Sequence, residues 1–167
     1  LQQPVLFGTT IRENIAYGRP DATAAEIARA ATLAQLDGFI ERLPGGLDTV
    51  VGEGGATLSS GEQLRVTIAR AILRDAPILI LDEPTAALDV ETEARVMAGL
   101  ENLMAGRTTF VIAHRLSTIR RADLVLVLDD GRIAEAGTFA ALVQRGGHFT
   151  RLYQTQFGTE TPRAVIS

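Results

Sequence analysis

The run Ile78-Leu79-Ile80-Leu81-Asp82-Glu83 constrains this chain more than any other segment. Four apolar residues after Pro77 read as a strand, and their continuity predicts burial on both faces, as in a parallel sheet. The strand ends in two adjacent carboxylates. In open α/β sheets, ligands bind outside the carboxyl ends of the strands. Two neighbouring acids repel each other and are costly to bury without a cation. Mg²⁺ would offset both, because it takes oxygen ligands and keeps several waters. Successive strand residues point to opposite sides. One acid can therefore serve the metal while the other faces a reacting centre. A strand entering a loop with two solvated acids has the same sequence, so this motif alone leaves both readings open.

The surrounding pattern extends the α/β reading. A helix is predicted from about Asp89 to Met104, with Asp89 as N-cap. A strand over Thr108–Ala113, a short helix near Leu116–Arg121 and a strand over Leu124–Leu128 follow. Asp130-Gly131 predicts a hairpin turn into Arg132–Glu135. Helices near Thr138–Gln144 and Phe149–Gln156 close the pattern, and the tail 158–167 has no periodicity. Strands alternating with helices after residue 76 indicate parallel pairing.

The preceding part differs. Thr10–Ala16 is mixed in character, and Thr23-Ala24-Ala25-Glu26 is a capping box before an alanine-rich helix. A short helix near Gly38–Leu43 stops at Pro44-Gly45-Gly46, and Val51–Gly55 is a glycine-rich loop. Ser59 to Arg74 is a strong helix with Leu64, Ile68, Ala71 and Ile72 on its apolar stripe. Residues 9–75 thus read as a mostly helical subdomain.

Composition bounds the function classes. The 167 residues carry a net charge of −4, with no basic stripe, which disfavours a dedicated nucleic-acid binder. The absence of cysteine excludes disulfides and thiolate metal sites. No apolar run approaches the roughly 18 residues needed to span a bilayer.

Three further positions carry chemical signals. Leu58-Ser59-Ser60-Gly61-Glu62 opens the long helix, where small residues and free N–H groups attract phosphate. Ser59 and Glu62 also form a capping box, and both readings can hold, since capping and phosphate binding use the same geometry. His114 follows the strand Thr108–Ala113 and is a candidate to polarise a phosphate oxygen, although a lone His at a strand end is usually structural. Gln2 alone carries almost no signal.

In order and spacing, these pieces resemble the nucleotide-binding domain of ABC transporters, from Leu1 to about Phe157. Gln2 in Leu1–Phe7 resembles the Q-loop glutamine, and Thr10–Ile15 continues it in exporter style. Asp48-Thr49-Val50-Val51-Gly52-Glu53 is similar to the exporter X-loop, and Leu58–Glu62 stands in the place of the Leu-Ser-Gly-Gly-Gln signature. Ile78–Asp82 resembles Walker B, with Glu83 as the catalytic glutamate. Ala87-Leu88-Asp89 matches the D-loop, and His114 in Ala113–Ser117 matches the H-loop histidine.

The resemblance implies an α/β fold with a P-loop NTPase-like, RecA-like, mostly parallel sheet and a helical subdomain. The parts expected are 1–8 (Q-loop end of the core), 9–75 (helical subdomain), 76–157 (core) and 158–167 (tail). It implies ATP and Mg²⁺ as cofactors. Asp82 and Gln2 would hold Mg²⁺, partly through water. Glu83 would act as general base, worth about 10²–10⁴-fold, and His114 would hold the γ-phosphate. Ser59, Ser60, Gly61, Glu62 and Asp89 would serve nucleotide in a head-to-tail pair of domains. The implied partners are a second such domain and a transmembrane domain reached through the Q-loop and X-loop. The implied place is the cytoplasmic face of the cell membrane, and the implied activity is ATP hydrolysis driving export.

Departures limit this. No Gly-x-x-x-x-Gly-Lys-Ser/Thr occurs. The family's phosphate-binding loop precedes the Q-loop, so the chain is expected to be the C-terminal portion of its domain and inactive alone. Ser60 replaces a signature glycine, Glu62 the glutamine, and Gln63-Leu64 a usual polar or basic pair. A carboxylate near phosphate is electrostatically unfavourable unless it faces away. A soluble ABC-type ATPase of DNA repair or translation is the alternative, but the coiled coils or insertions such proteins carry are not seen here.

Overall fold

The computed structural model describes residues 5–52, 55–82, 88–113 and 116–157. The chain forms two compact units, Leu1–Ile112 and Ala113–Ser167. Among the described residues, no helix is long and apolar enough to cross a membrane.

The first unit contains helices α1 (Ile11–Ala16), α2 (Ala24–Leu33), α3 (Asp37–Ile40), α4 (Ser60–Arg74) and α5 (Val90–Met104). A 3₁₀ turn spans Gly46–Asp48, and strands β1 (Ile78–Asp82) and β2 (Thr108–Ile112) pair in parallel. The segment expected to be mixed is a helix. Thr10 and Glu13 close a full capping box on α1, and Ile11 and Ile15, four residues apart, are both fully buried. Thr23 and Glu26 do the same for α2, which buries Ile27, Ala30 and Ala31 on one face.

α4 is the centre of this unit, packed by α1, α2 and α5. Ser59 caps its start, and Asp75 ends it in the left-handed conformation at φ 54°. Leu64, Val66, Ile68, Ala69 and Leu73 are buried, a wider face than the predicted stripe, because neighbours lie on several sides. Each of the Leu, Val and Ile side chains contributes about 1.5–3 kcal/mol of burial.

β1 departs from expectation. Leu79 and Leu81 are buried against the helices, but Ile78 and Ile80 are 59% and 71% exposed. The register pairs Ile80 with Phe110 and Asp82 with Ile112, so Phe110 and Ile112 share that exposed face. Among the described residues, the helices of the unit pack on the Leu79–Leu81 side and leave the Ile78–Ile80 face uncovered.

The second unit contains α6 (Leu116–Arg120), β3 (Val125–Asp129), β4 (Arg132–Gly137), α7 (Phe139–Arg145) and α8 (His148–Phe157). β3 and β4 form an antiparallel hairpin. Asp130 and Gly131 both adopt positive φ, 45° and 72°, the geometry of a tight two-residue hairpin turn. Val127, Leu142 and Phe149 form its core, and Phe139 meets Phe149 edge-on at 5.7 Å. Glu135 on β4 accepts hydrogen bonds from the His148 and Phe149 amides, at 2.7 and 2.9 Å, and so satisfies the start of α8.

Candidate functional site

Of the residues singled out in the sequence, Gln2, Glu53, Glu83 and His114 lie outside the described residues, as does the tail 158–167. Ser59, Ser60, Gly61, Glu62, Asp82 and Asp89 are described.

Ser59 sits immediately before α4 in extended backbone, and its reciprocal cap with Glu62 is complete. The Ser59 amide and hydroxyl both donate to Glu62 Oε2, at 2.9 and 2.8 Å, and the Ser59 Oγ accepts from the Glu62 amide at 3.3 Å. Glu62 Oε1 lies 3.6 Å from Arg42. The carboxylate is therefore turned back onto the cap and towards a cation.

Gly61 explains how closely α4 meets α5. A Cβ at Gly61 would fall 2.1 Å from Thr92 Cγ2 and 3.9 Å from Leu88 Cδ2. Thr92 belongs to the first turn of α5, where its amide donates to Asp89 Oδ1 at 3.0 Å. That bond is the main cause holding the Asp89 carboxyl below its usual range. The starts of α4 and α5, with their caps Ser59 and Asp89, are thus brought side by side. Two helix N-termini together present donors and a positive dipole end to an anion. Asp82 is half-buried at the carboxyl end of β1. Among the described residues, no hydrogen bond joins it to the Ser59–Glu62 turn.

The segment after Gln2 and the segment before Glu53 are stitched together. Thr10 bridges Val50, and the Ile11 and Val51 amides donate to the Thr49 and Thr9 carbonyls at 3.1 and 2.9 Å. Arg12 pairs with Asp48 at 2.7 Å, which raises the guanidinium and lowers the carboxyl. Gly52, at φ +86°, lets the backbone pass within contact of Phe7 and Gly8. A cleft of ≈ 340 Å³ is lined by Leu6, Gly52, Ala56, Thr57, Leu58 and Gln63. Leu6, Gly52 and Leu58 come from three separate motifs, so the cleft is where those motifs converge.

The model of the family described as ABC transporter matches residues 1–86. The chain belongs to the ABC transporter family. It is 57% identical over 159 residues to the "ATP-dependent lipid A-core flippase" of Shewanella sp. (strain MR-4), covering 95% of this chain and 26% of that protein. It is 56% identical to the "Beta-(1-->2)glucan export ATP-binding/permease protein NdvA" of Nitrobacter winogradskyi, over 99% of this chain and 27% of that protein. A solved "bacterial Atm1-family ABC exporter with ATP bound" superimposes with a TM-score of 0.80 at 48% identity, over 93% of this chain and 27% of the other. The chain thus spans about a quarter of the length of the relatives it matches. Its α/β fold matches part of an ABC exporter's nucleotide-binding domain.

Two residues of this ABC chain escaped the sequence reading. Asn14 is fully buried, and its amide is fully used. Oδ1 accepts from the Phe7 amide at 2.9 Å and from Arg70 at 3.1 Å, while Nδ2 donates to the Phe7 and Thr10 carbonyls at 3.1 and 3.0 Å. Arg70, on α4, also donates to the Asn14 and Val5 carbonyls at 2.8 and 3.3 Å. The only signal in the sequence was an amide four residues after the capping Thr10, which does not reveal a partner 56 residues away.

Proposed function

We propose that this chain is part of the ATP-binding and ATP-hydrolysing domain of an ABC exporter, where ATP hydrolysis drives export of a substrate across the membrane. The observation that carries this reading is Asp82 at the carboxyl end of the parallel strand β1, followed in sequence by Glu83, in a chain of the ABC family. Relatives named for lipid A-core flipping and glucan export support it. In the intact protein the domain stands at the cytoplasmic face of the membrane.

Mg²⁺-bound ATP would supply a polarised γ-phosphoryl group for transfer to water. Asp82 and Gln2 would hold the metal, partly through water, and an acid on a strand end suits Mg²⁺, which needs few protein ligands. Glu83 would take the proton of the attacking water, and His114 would hold the γ-phosphate. Catalysis in such sites is mostly positioning and electrostatics. Ser59, Ser60, Gly61, Glu62 and Asp89 would close over nucleotide on a second domain in a head-to-tail dimer, a role favoured by the paired starts of α4 and α5. The helical part 9–75 and the core part 76–157 would divide these tasks. The surface around Phe7 and Asp48–Gly52 would receive the transmembrane domain.

The deciding experiment is Glu83→Gln in the full-length protein. Mg-ATP turnover should be lost while bound ATP is retained in a dimer. Turnover at the normal rate would remove Glu83 from the role of base.

A further inference from the structure

Arg70 stands in the third turn of α4, a helix whose first turn carries Ser60 and Gly61. Its guanidinium leaves α4 and ends between two other segments. One is the loop after Gln2, reached through the Val5 carbonyl and the ring of Phe7, whose centroid lies 5.5 Å away. The other is the end of α1, reached through the Asn14 carbonyl, the Asn14 side chain and the Tyr17 ring at 5.5 Å.

Each contact has a physical reason. The last turn of α1 has no basic residue of its own, and Arg70 brings a cation to its free carbonyls. Phe7 and Tyr17 pack against each other at 4.8 Å and both present themselves to the guanidinium. Gly18 removes the last obstacle: a Cβ there would lie 2.3 Å from the Arg70 carbonyl oxygen. The backbone leaving α1 therefore runs directly against α4. A planar five-donor fork can serve two carbonyls and a side-chain amide at once, whereas an ammonium on a flexible stem cannot hold that geometry. Burial costs Arg70 some of its charge stability, pushing its pKa down, and among the described residues no carboxylate is hydrogen-bonded to it.

On the outer side of this joint, Val5, Phe7 and Tyr17 are exposed apolar residues. On its inner side, α4 leads to the Ser59 cap. We propose that Arg70 is a positioning residue that locks residues 5–18 to α4, so that displacement of the Phe7–Tyr17 surface and of the Ser59–Gly61 turn occurs as one movement. This rests on the reading of the chain as a nucleotide-driven domain, in which the Ser59 turn responds to ATP.

The test is hydrogen exchange on the purified full-length protein, with and without Mg-ATP and vanadate, followed separately in segments 5–18 and 59–66. In the wild-type protein both segments should slow on adding nucleotide. In Arg70→Met, the response of 59–66 should persist and that of 5–18 should be lost. Arg70→Lys, which keeps the charge and is the milder change, should diminish the 5–18 response while retaining basal Mg-ATP turnover. It decides the matter if the Met variant does not fold. A response of wild-type size in 5–18 in either folded variant would overturn the proposal. So would a uniform rise of 5–18 exchange that leaves its nucleotide response intact, the result of a purely structural role. A wild-type response confined to 59–66 would overturn the proposal alone. No response in 59–66 of the wild-type protein would overturn the functional reading and the proposal with it.

Discussion

Gly61→Ala adds a single methyl group at a point where the structure leaves no room for it. The new Cβ would lie 2.1 Å from Thr92 Cγ2. Thr92 cannot swing freely, because it is β-branched and sits in the first turn of α5. Overpacking of this kind costs about 1–3 kcal/mol. Alanine also gains about 0.5–1 kcal/mol over glycine within a helix. The net expectation is a loss of about 0.5–2 kcal/mol. Thr92→Ser separates the two terms, since it removes the obstructing methyl and keeps the hydroxyl. Alone it should cost about 0.5–1.5 kcal/mol for the vacated volume. Combined with Gly61→Ala, the alanine methyl fills that volume, and the double variant should return close to the wild type. The coupling energy should be about 1–3.5 kcal/mol. Urea unfolding of the four purified proteins, followed by circular dichroism, measures all the terms. If Gly61→Ala is as stable as the wild type, or Thr92→Ser gives no rescue, the close approach of α4 to α5 is not what fixes glycine here. Any turnover still missing in a restored double variant would be assigned to the proposed nucleotide-facing role of Gly61.

Glu62→Gln removes a negative charge from the turn proposed to face nucleotide, yet a glutamine carbonyl can still accept from the Ser59 amide. The helix should lose about 0.5–1 kcal/mol while the KM for ATP of the full-length protein falls, and an unchanged KM in steady-state assays would mean that the carboxylate does not face phosphate. In the second unit, the Phe149 and His148 amides hold Glu135 below its ordinary value of 4.5. Because the folded pKa is depressed, the stabilisation is present above about pH 4.5 and is lost as pH falls through the lower folded value. Glu135→Gln should therefore flatten the acid limb of a pH–melting-temperature profile. Gly147→Ala, whose Cβ would lie 2.0 Å from Glu135 Oε1, should do the same by pushing the carboxylate off the α8 amides. An acid limb unchanged in both variants would contradict the capping role.

Features set by neighbours in sequence were legible. Thr23–Glu26, Ser59–Glu62 and Asp89 are caps whose donors and acceptors lie within three residues, and the structure makes all three. Asp130-Gly131 demands positive φ at both positions and obtains it. α1 was missed because six residues hold only one apolar repeat, Ile11 and Ile15, although Thr10 and Glu13 already spelled its cap. The β1 run could state that Ile78–Leu81 is apolar but not which side the helices would cover. Ile80 shows the difference, since the same residue type that is buried at Ile68 is exposed there. The joint of Asn14 with Arg70 was out of reach for another reason: no local rule couples residues 56 apart.

The Ser59–Glu62 turn shows how two demands on one geometry can be met in sequence. A helix start must satisfy its free amides, and an anion site must leave some of them available. Here the Ser59 amide and hydroxyl and the Glu62 amide are engaged by the reciprocal cap. A phosphate approaching this turn would have to take the Ser59 hydroxyl from Glu62 Oε2. Arg42, which stands 3.6 Å from Oε1, would ease that exchange by drawing the carboxylate aside. A glutamate in this position would therefore compete with an anion for the Ser59 hydroxyl, which is why Glu62→Gln should lower the KM. In the proposed site the glutamate would act as a placeholder for the anion, satisfying the turn when no phosphate is near, with Arg42 as the cation closest to the released charge.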